Sequence, residues 1–276
     1  MSIHVWEKLE LNFTAERAYG NPYVDVTIWV DLEGPGFKKR VYGFWDGERT
    51  HIVGVLATAP GSWRWTSGSA PEDRGLAGKT GSFDAVAWND DDLAVNPNRR
   101  GMVVASADGR GLEYADGTPY FLIGDTWWSL PSFRFPLAER DEPGVLGPGA
   151  TLNDYAHFRK MQGYNCVGLI AAQPAWANDG RPSTITMHDG TFVRAAWKQP
   201  GTNSAKDMQN EGGRPFLFPG KVPGFEEVFP DMDRINPDYF RVLDRKIDYL
   251  NDLGFVPFIE ASRRDSGQAW KTFHDW

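Results

Sequence analysis

The residues best suited to chemistry in this sequence follow three apolar runs in its second half. Carboxylates, amides and guanidinium groups hydrogen-bond pairs of hydroxyls, and indole rings stack on flat, partly apolar ligands. The mixture found after these runs therefore predicts a site for sugars. The predicted substrate-binding residues are Asp125, Trp127, Trp128, Gln173, Glu260, Arg263 and Arg264.

A structural interpretation of the two carboxylates competes with the functional one. Asp125 could brace the loop that follows it, and Glu260 could form an ion pair with Arg263 or Arg264. The Asp125–Trp128 cluster (Asp-Thr-Trp-Trp) is the sharper signal, because four such residues at one strand end are difficult to explain as core. If this chain itself contains a catalytic carboxylate, Glu260 and Asp125 are the candidates.

The elements that must position these residues alternate between strand and helix. Short apolar runs at 119–124, 165–172 and 255–259 predict buried strands, and helical spacing of apolar residues predicts helices over 152–162 and 236–253. This βαβαβ order predicts a parallel sheet, in which ligands bind at the carboxyl ends of the strands. The long segment between the second strand and the second helix, 174–234, is expected to wall the site.

The first part of the chain has a period of two and frequent turn signals, which predict an immunoglobulin-like β-sandwich. The predicted strands are 23–32, 39–45, 51–58, 63–67 and 82–88. Trp63 and Trp65 share one face of a strand, where they form either a sugar-stacking platform or, as we favour, part of the core. An uneven stretch at 89–100 predicts a linker, and the predicted domains are 1–100 and 110–276.

Composition and missing motifs exclude several function classes. The formal charge is −8 with a pI of about 5.2, which leaves no basic footprint for nucleic acid or for an anionic membrane and favours a neutral or small partner. Cys166 is the only cysteine, so no intramolecular disulfide is possible, and His188 has no second histidine at metal-ligand spacing. The sequence lacks the G-x-G-x-x-G and P-loop motifs of nucleotide-binding proteins. It also lacks the G-x-S-x-G nucleophile elbow of α/β-hydrolases.

The sequence carries no signal that would direct it to or through a membrane. Its start lacks a basic region followed by an apolar one, and no stretch has the eighteen or so apolar residues that span a bilayer. The cytoplasm is therefore the default expectation, and a secreted or periplasmic location is the expectation for a trimmed N-terminus.

Two groups of motifs resemble known families. The first group resembles the β-sandwich called domain of unknown function 5060 (DUF5060), which precedes certain glycoside hydrolases; its stretches are 21–26, 41–47 and 60–66. The second group resembles the apiosidase-like (β/α)8 barrel (DUF4038-type); its stretches are 116–128, 160–165, 235–240 with Asp244, and 253–255. The resemblance implies hydrolysis of a glycosidic bond in a plant or algal cell-wall polysaccharide, without a cofactor. No metal site is expected either, because of the lone His188 noted above.

The resemblance also sets an expectation about length. A (β/α)8 barrel takes about 250 residues and eight strands, whereas three barrel strands are predicted here. Such barrels carry their catalytic carboxylates after the fourth and seventh strands, so both are expected beyond Trp276 and the chain is expected to be an inactive N-terminal fragment. The predicted fold class is accordingly a multidomain one, a β-sandwich followed by the first part of a TIM barrel. A carbohydrate-binding protein without catalytic activity is the alternative.

Overall fold

The computed structural model describes residues 1–138, 144–172, 184–186, 192–194, 209–217 and 231–260. The chain divides into two compact units, Met1–Leu122 and Ile123–Trp276. The division lies after the 100–110 region where the sequence analysis places its domain boundary.

Two sheets enclose the core of the first unit. A five-stranded sheet has the order β1-β8-β7-β3-β4, and a three-stranded sheet has the order β2-β6-β5. The strands are β1 (Ser2–His4), β2 (Lys8–Thr14), β3 (Thr27–Gly34), β4 (Phe37–Tyr42), β5 (Phe44–Trp45), β6 (Thr50–Leu56), β7 (Gly61–Ala70) and β8 (Thr80–Val86), with a short helix α1 (Pro22–Asp25) before β3. All neighbouring pairs are antiparallel except β1 and β8.

Alternation of side chains explains how these strands form one core. On β3, Ile28, Val30 and Leu32 are almost fully buried, while the residues between them face the other side of the sheet. Trp63 is 1% exposed within the same cluster, and Trp65 packs against it. The core interpretation of Trp63 is therefore confirmed.

Three indole rings of this unit lie flat on glycines of neighbouring strands. A Cβ atom added to any of these glycines would overlap the facing indole ring. The pairs are Trp63 with Gly34, Trp29 with Gly68, and Trp65 with Gly81. Absence of a side chain on the glycine is thus what allows each ring to lie close to the sheet.

Four of the five predicted strands of this part, 23–32, 51–58, 63–67 and 82–88, are confirmed with shifted ends. The predicted strand 39–45 is two strands in different sheets, because the chain crosses from β4 to β5 at Gly43. The amino-terminal strands β1 and β2 are not among those predicted, and the start of the predicted strand 23–32 is the helix α1.

The predicted linker contains ordered structure of its own. Helix α2 (Asp90–Val95) begins at Asn89, whose side chain accepts a hydrogen bond from the Asp92 N–H at 2.8 Å, and a 3-10 helix (Pro97–Arg100) follows. A second small antiparallel sheet then forms from β9 (Val103–Ala105), β10 (Leu112–Tyr114) and β11 (Pro119–Tyr120). The hairpin predicted around residues 113–117 is confirmed.

The predicted strand at 119–124 is wrong as a single element buried on both faces. Its first residues form β11, and Gly124–Thr126 forms β12 in a different sheet. Phe121, between them, is 80% exposed. The two ends of the run therefore pair with different sheets, and the run does not continue as one strand.

The second unit contains the predicted βαβαβ order. Strands β12 (Gly124–Thr126), β13 (Cys166–Ile170) and β18 (Val256–Glu260) form a parallel sheet in the order β12-β13-β18. Helix α3 (Leu152–Met161) connects the first pair, and helix α4 (Pro237–Asp252) lies before β18. Leu152, Val167, Leu169, Leu250 and Phe255 belong to the core between sheet and helices.

Local signals explain the bounds of both helices. Helix α3 begins with a capping box between Thr151 and Asp154, and α4 begins after Asn236, whose side chain accepts from the Asp238 N–H. Gly163 and Gly254 follow the helix ends with φ of 85° and 80°, values that favour glycine. These two caps and the two helices are as predicted.

The remaining described strands form two short antiparallel pairs. They are β14 (Thr184–Thr186) with β15 (Phe192–Arg194), and β16 (Phe216–Leu217) with β17 (Asp231–Ile235). Most of the segment 174–234, which was predicted to wall the site, lies outside the described residues.

Candidate functional site

The register of the three parallel strands decides which predicted site residues share a face of the sheet. Thr126 pairs with Gly168, and Gly168 pairs with Phe258. Because side chains alternate along a strand, these three residues lie on one face and their neighbours lie on the other. Val167 and Leu169 are fully buried in the core with the helices, so their side is the helix face and that of Gly168 is the opposite face.

Asp125 lies on the helix face, where it is held by two residues of α3. Its Oδ2 atom is 2.9 Å from Nη2 of Arg159 and accepts a hydrogen bond from the Tyr155 hydroxyl at 3.5 Å. The same Arg159 nitrogen donates to the Tyr155 hydroxyl at 2.9 Å. Burial opposes the charge of Arg159, but the hydrogen bond to Tyr155 and the negative charge of Asp125 raise its pKa. The three side chains form a closed network that fastens β12 to α3.

Trp127 lies on the same face and is part of the core. It is 3% exposed, and its ring packs 4.8 Å from the Tyr155 ring and 6.0 Å from the Phe255 ring, centre to centre. Phe135 stacks on it at 6.2 Å. Its indole is therefore enclosed by protein aromatics on several sides.

Trp128 and Glu260 lie on the opposite face. A Cβ atom on Gly168 would be 3.6 Å from Thr126 Cγ2 and 3.9 Å from Trp128 Cζ3, which places Trp128 on the Gly168 side. Glu260 follows Phe258 by two residues and pairs with Ile170, so it belongs to this side as well. Trp128 is 36% exposed and Phe258 is 68% exposed. The carboxyl ends of β12 and β18 thus bring an accessible indole and a carboxylate to one face.

The other three predicted site residues, Gln173, Arg263 and Arg264, lie outside the described residues. So do the partners proposed above for an ion pair with Glu260.

Sequence reasoning missed a buried lysine beneath the turn that follows Trp128. Lys246 of α4 is fully buried, and its Nζ donates to the carbonyl oxygens of Leu130, Pro131 and Ser132 at 3.3, 3.4 and 3.0 Å. Burial lowers its pKa to about 8, against the charge of Glu211 at 3.8 Å, which raises it. The lysine holds this turn to the helix at three points.

The carboxyl end of β13 has a similar support. The hydroxyl of Tyr239, a residue of α4 that is 2% exposed, donates to the Ala171 carbonyl at 3.0 Å, and burial raises the pKa of that hydroxyl. The Tyr239 carbonyl in turn accepts from the side-chain amide of Asn210 at 2.9 Å. Helix α4 therefore positions the backbone after both β12 and β13.

The described residues show neither a cluster of metal ligands nor a membrane-spanning helix. Within the described ranges, no group of three or more His, Cys, Asp or Glu side chains could hold a metal ion. In that same part of the chain, no helix has the length and apolar character needed to cross a membrane. Cys166 is a free, buried cysteine, and burial raises the pKa of its thiol.

Comparison with solved structures identifies the fold. A crystal structure from Bacteroides vulgatus, described as that of a candidate glycoside hydrolase, matches with a TM-score of 0.57 at 21% identity, over 94% of this chain and 41% of that one. The chain thus spans less than half the length of that structure. A glycoside hydrolase family 5 structure from the same organism shares 18% identity over 59% of this chain and 25% of its own, with a TM-score of only 0.28. Comparison with curated proteins gave no match.

Comparison with family models covers most of the sequence. Residues 2–70 match the model for the domain of unknown function DUF5060, in agreement with the resemblance seen in the motifs. Residues 106–273 match the model for the apiosidase-like catalytic domain, which is more than half of the 276 residues. The chain therefore belongs to the apiosidase-like family, with a DUF5060 domain in front of it.

Proposed function

We propose that this protein is a glycoside hydrolase in which an immunoglobulin-like sandwich precedes a (β/α)8 barrel, and that its substrate is a plant or algal cell-wall polysaccharide or its oligosaccharides. Three sequential parallel strands, joined through helices on one side, are what the start of such a barrel requires. Family membership and the fold likeness to a candidate glycoside hydrolase support the same assignment.

The observation that carries the proposal is the placement of Trp128 and Glu260 on the face away from the helices, at the carboxyl ends of β12 and β18. In a barrel this face is the interior and this end is the mouth where substrates bind. An indole that is 36% exposed can stack on a sugar ring. A carboxylate on the same face, two strands away, accepts hydrogen bonds from sugar hydroxyls.

We further propose that this chain supplies sugar subsites and that Asp125 and Glu260 do not form the catalytic pair. Glycosidases need two carboxylates on either side of one glycosidic bond, about 5 to 9.5 Å apart. Asp125 is on the helix face in an ion pair with Arg159, whereas Glu260 is on the opposite face. The role of Asp125 is therefore structural, and catalysis requires carboxylates other than this pair.

Binding measurements on the full 276-residue chain test the subsites. We expect oligosaccharides from plant or algal cell walls to bind, and Trp128→Ala to weaken binding about fivefold or more, because loss of one aromatic stack costs about 1–3 kcal/mol. Tyr42→Ala, which removes a 63% exposed aromatic from the first unit, is the matched control and should bind normally. Equal binding by the wild type and Trp128→Ala would reject this site.

Hydrolysis measurements test the second part of the proposal. We expect no release of reducing ends by the 276-residue chain. Turnover that Glu260→Gln abolishes would contradict the subsite role and make Glu260 catalytic. Binding without turnover by a chain that contains all eight barrel strands would instead favour a carbohydrate-binding protein.

A further inference from the structure

The backbone on both sides of Trp128 is held by hydrogen bonds. Before the indole, the Trp127 N–H donates to the Gly168 carbonyl of β13 at 2.8 Å. After it, the Leu130 N–H donates to the Trp127 carbonyl at 2.8 Å, which closes a turn with Trp128 and Ser129 at its centre. The position of Leu130 therefore determines how this turn, and the indole on it, is oriented.

Lys246 of α4 holds the far end of this turn. An ammonium group has three N–H donors, and the carbonyl oxygens of Leu130, Pro131 and Ser132 all lie within 3.4 Å of its Nζ atom. The carboxylate of Glu211 is farther from the same atom, at 3.8 Å. The ammonium group thus binds the backbone of one short segment that directly follows the indole.

A buried ammonium group is an energetically costly way to attach a turn. Lys246 is fully buried on the apolar side of α4, one turn after Leu243 and one turn before Leu250. An apolar side chain of similar size is often as stable or more stable at such a position, because a charge must otherwise be removed from water. An apolar side chain cannot, however, bind the carbonyls. The lysine therefore contributes a defined position of the turn rather than extra stability.

The turn is also linked to α4 by a second route. The Phe133 N–H donates to the Gln209 carbonyl at 2.8 Å, and the side-chain amide of the next residue, Asn210, donates to the Tyr239 carbonyl of α4 at 2.9 Å. This route does not include Lys246. A variant without the lysine amine should accordingly keep the turn near the helix and lose only its exact placement.

We propose that Lys246 is a positioning residue for sugar binding, because it fixes the turn in the orientation in which the Trp128 indole stacks on a sugar ring. An aromatic side chain that is already in place loses little conformational freedom when the ligand binds, and affinity rises accordingly. This inference rests on the proposed function, since it concerns the same sugar subsite. Lys246 is fully buried, so it acts through the turn and not on the sugar itself.

The first measurement needs no sugar. The indole N–H signal of Trp128 in the nuclear magnetic resonance spectrum of the full chain is assigned by its loss in Trp128→Phe. We expect Lys246→Met to shift or broaden this signal, because the ammonium group no longer holds the turn. Tyr239→Phe is the matched control, since it removes one hydrogen bond from the same helix to the Ala171 carbonyl after β13. It should leave the Trp128 signal unchanged.

The second measurement is a double-mutant cycle on affinity at pH 7, with oligosaccharides of defined length from pectin and from alginate as probes. Lys246→Met should weaken binding about two- to twelvefold, because ordering one mobile side chain costs about 0.5–1.5 kcal/mol. The double variant with Trp128→Ala should bind no more weakly than Trp128→Ala alone, since the lysine then has no indole to position. Arg241→Met, on the exposed face of α4, should bind like the wild type.

The two measurements separate failure of this inference from failure of the proposed function. If Trp128→Ala weakens binding but Lys246→Met leaves both the affinity and the Trp128 signal unchanged, Lys246 is not a positioning residue. The inference is also overturned if the losses from Lys246→Met and Trp128→Ala multiply in the double variant, because the lysine then acts independently of the indole.

If neither probe binds the wild type, or if Trp128→Ala binds like the wild type, the sugar subsite itself is rejected, and with it the role of Lys246 in sugar binding. A shift of the Trp128 signal in Lys246→Met would then support placement of the turn alone. If Lys246→Met fails to fold, Lys246→Gln takes its place in both measurements, because its amide retains two N–H donors.

Discussion

Lys246 makes the stability of the second unit depend on pH in a direction opposite to that of most lysines. Its ammonium group is fully buried against three backbone carbonyls, and burial lowers its pKa from 10.5 to about 8. Between these two values the unfolded chain binds more protons than the folded one. The free energy of unfolding therefore rises with pH across this window and is lowest below pH 8.

The size of the effect follows from the two pKa values. With 10.5 in the unfolded chain and about 8 in the folded one, Lys246 should add about 2 kcal/mol of stability between pH 7 and pH 9.5. Burial raises the pKa of Cys166 and of Tyr239, so these groups contribute with the opposite sign. The contribution of Lys246 must for this reason be obtained as a difference from a variant that lacks only its amine.

Urea unfolding of the wild type and of Lys246→Met at several pH values between 7 and 9.5 provides that difference. The wild type should gain about 2 kcal/mol relative to Lys246→Met over this range. Arg241→Met removes a charge from the exposed face of the same helix without removing a charge that acts on Lys246, and it should keep the wild-type slope. Parallel pH profiles for the wild type and Lys246→Met would refute the argument, as would a stability of the wild type that falls relative to the variant.

Three other predictions concern single side chains. Asp125→Asn should lower the free energy of unfolding by about 1–2 kcal/mol through the loss of the Arg159 ion pair, while oligosaccharide affinity stays unchanged; a loss of affinity comparable to that of Trp128→Ala would contradict its structural role. Trp127→Ala should cost about 3–5 kcal/mol in urea unfolding, because it empties a core position, and a cost below 1 kcal/mol would show that the ring is not core. Burial alone would raise the pKa of Asp73, but hydrogen bonds from backbone N–H groups outweigh that effect and lower the pKa to about 2. The free energy of unfolding of the first unit should therefore fall by about 2 kcal/mol between pH 5 and pH 2. Asp73→Asn should lack this fall, and the same acid profile in the variant and the wild type would contradict the prediction.

The elements of the second unit could be predicted because their signals are local. Helix α3 has its capping residue Thr151 and its closing Gly163, and α4 has Asn236 and Gly254. Apolar spacing and these caps determine where a helix begins and ends without any knowledge of the rest of the chain.

The face on which each site residue lies could not be predicted in the same way. A shift of one residue in where a strand begins moves every side chain to the other face. The apolar run from Pro119 contains no local signal that its first and last residues belong to different sheets. The face of the sheet on which Asp125 and Trp127 lie is decided only by the pairing of β12 with β13. Lys246 had a local signal, since it stands three residues after Leu243 and four before Leu250 on the buried side of α4.

The cross-strand contacts between indole rings and glycines restrict how this sequence can change over time. A methyl group cannot be added at Gly68 while Trp29 lies on it, whereas Trp29 can shrink while Gly68 stays as it is. The order of substitution is therefore fixed: the large ring must go first, and the intermediate carries the cost of the lost packing. The same order applies to Trp65 with Gly81. Among relatives, each pair should be inherited or replaced as a unit, which makes it a marker of descent for the DUF5060 domain.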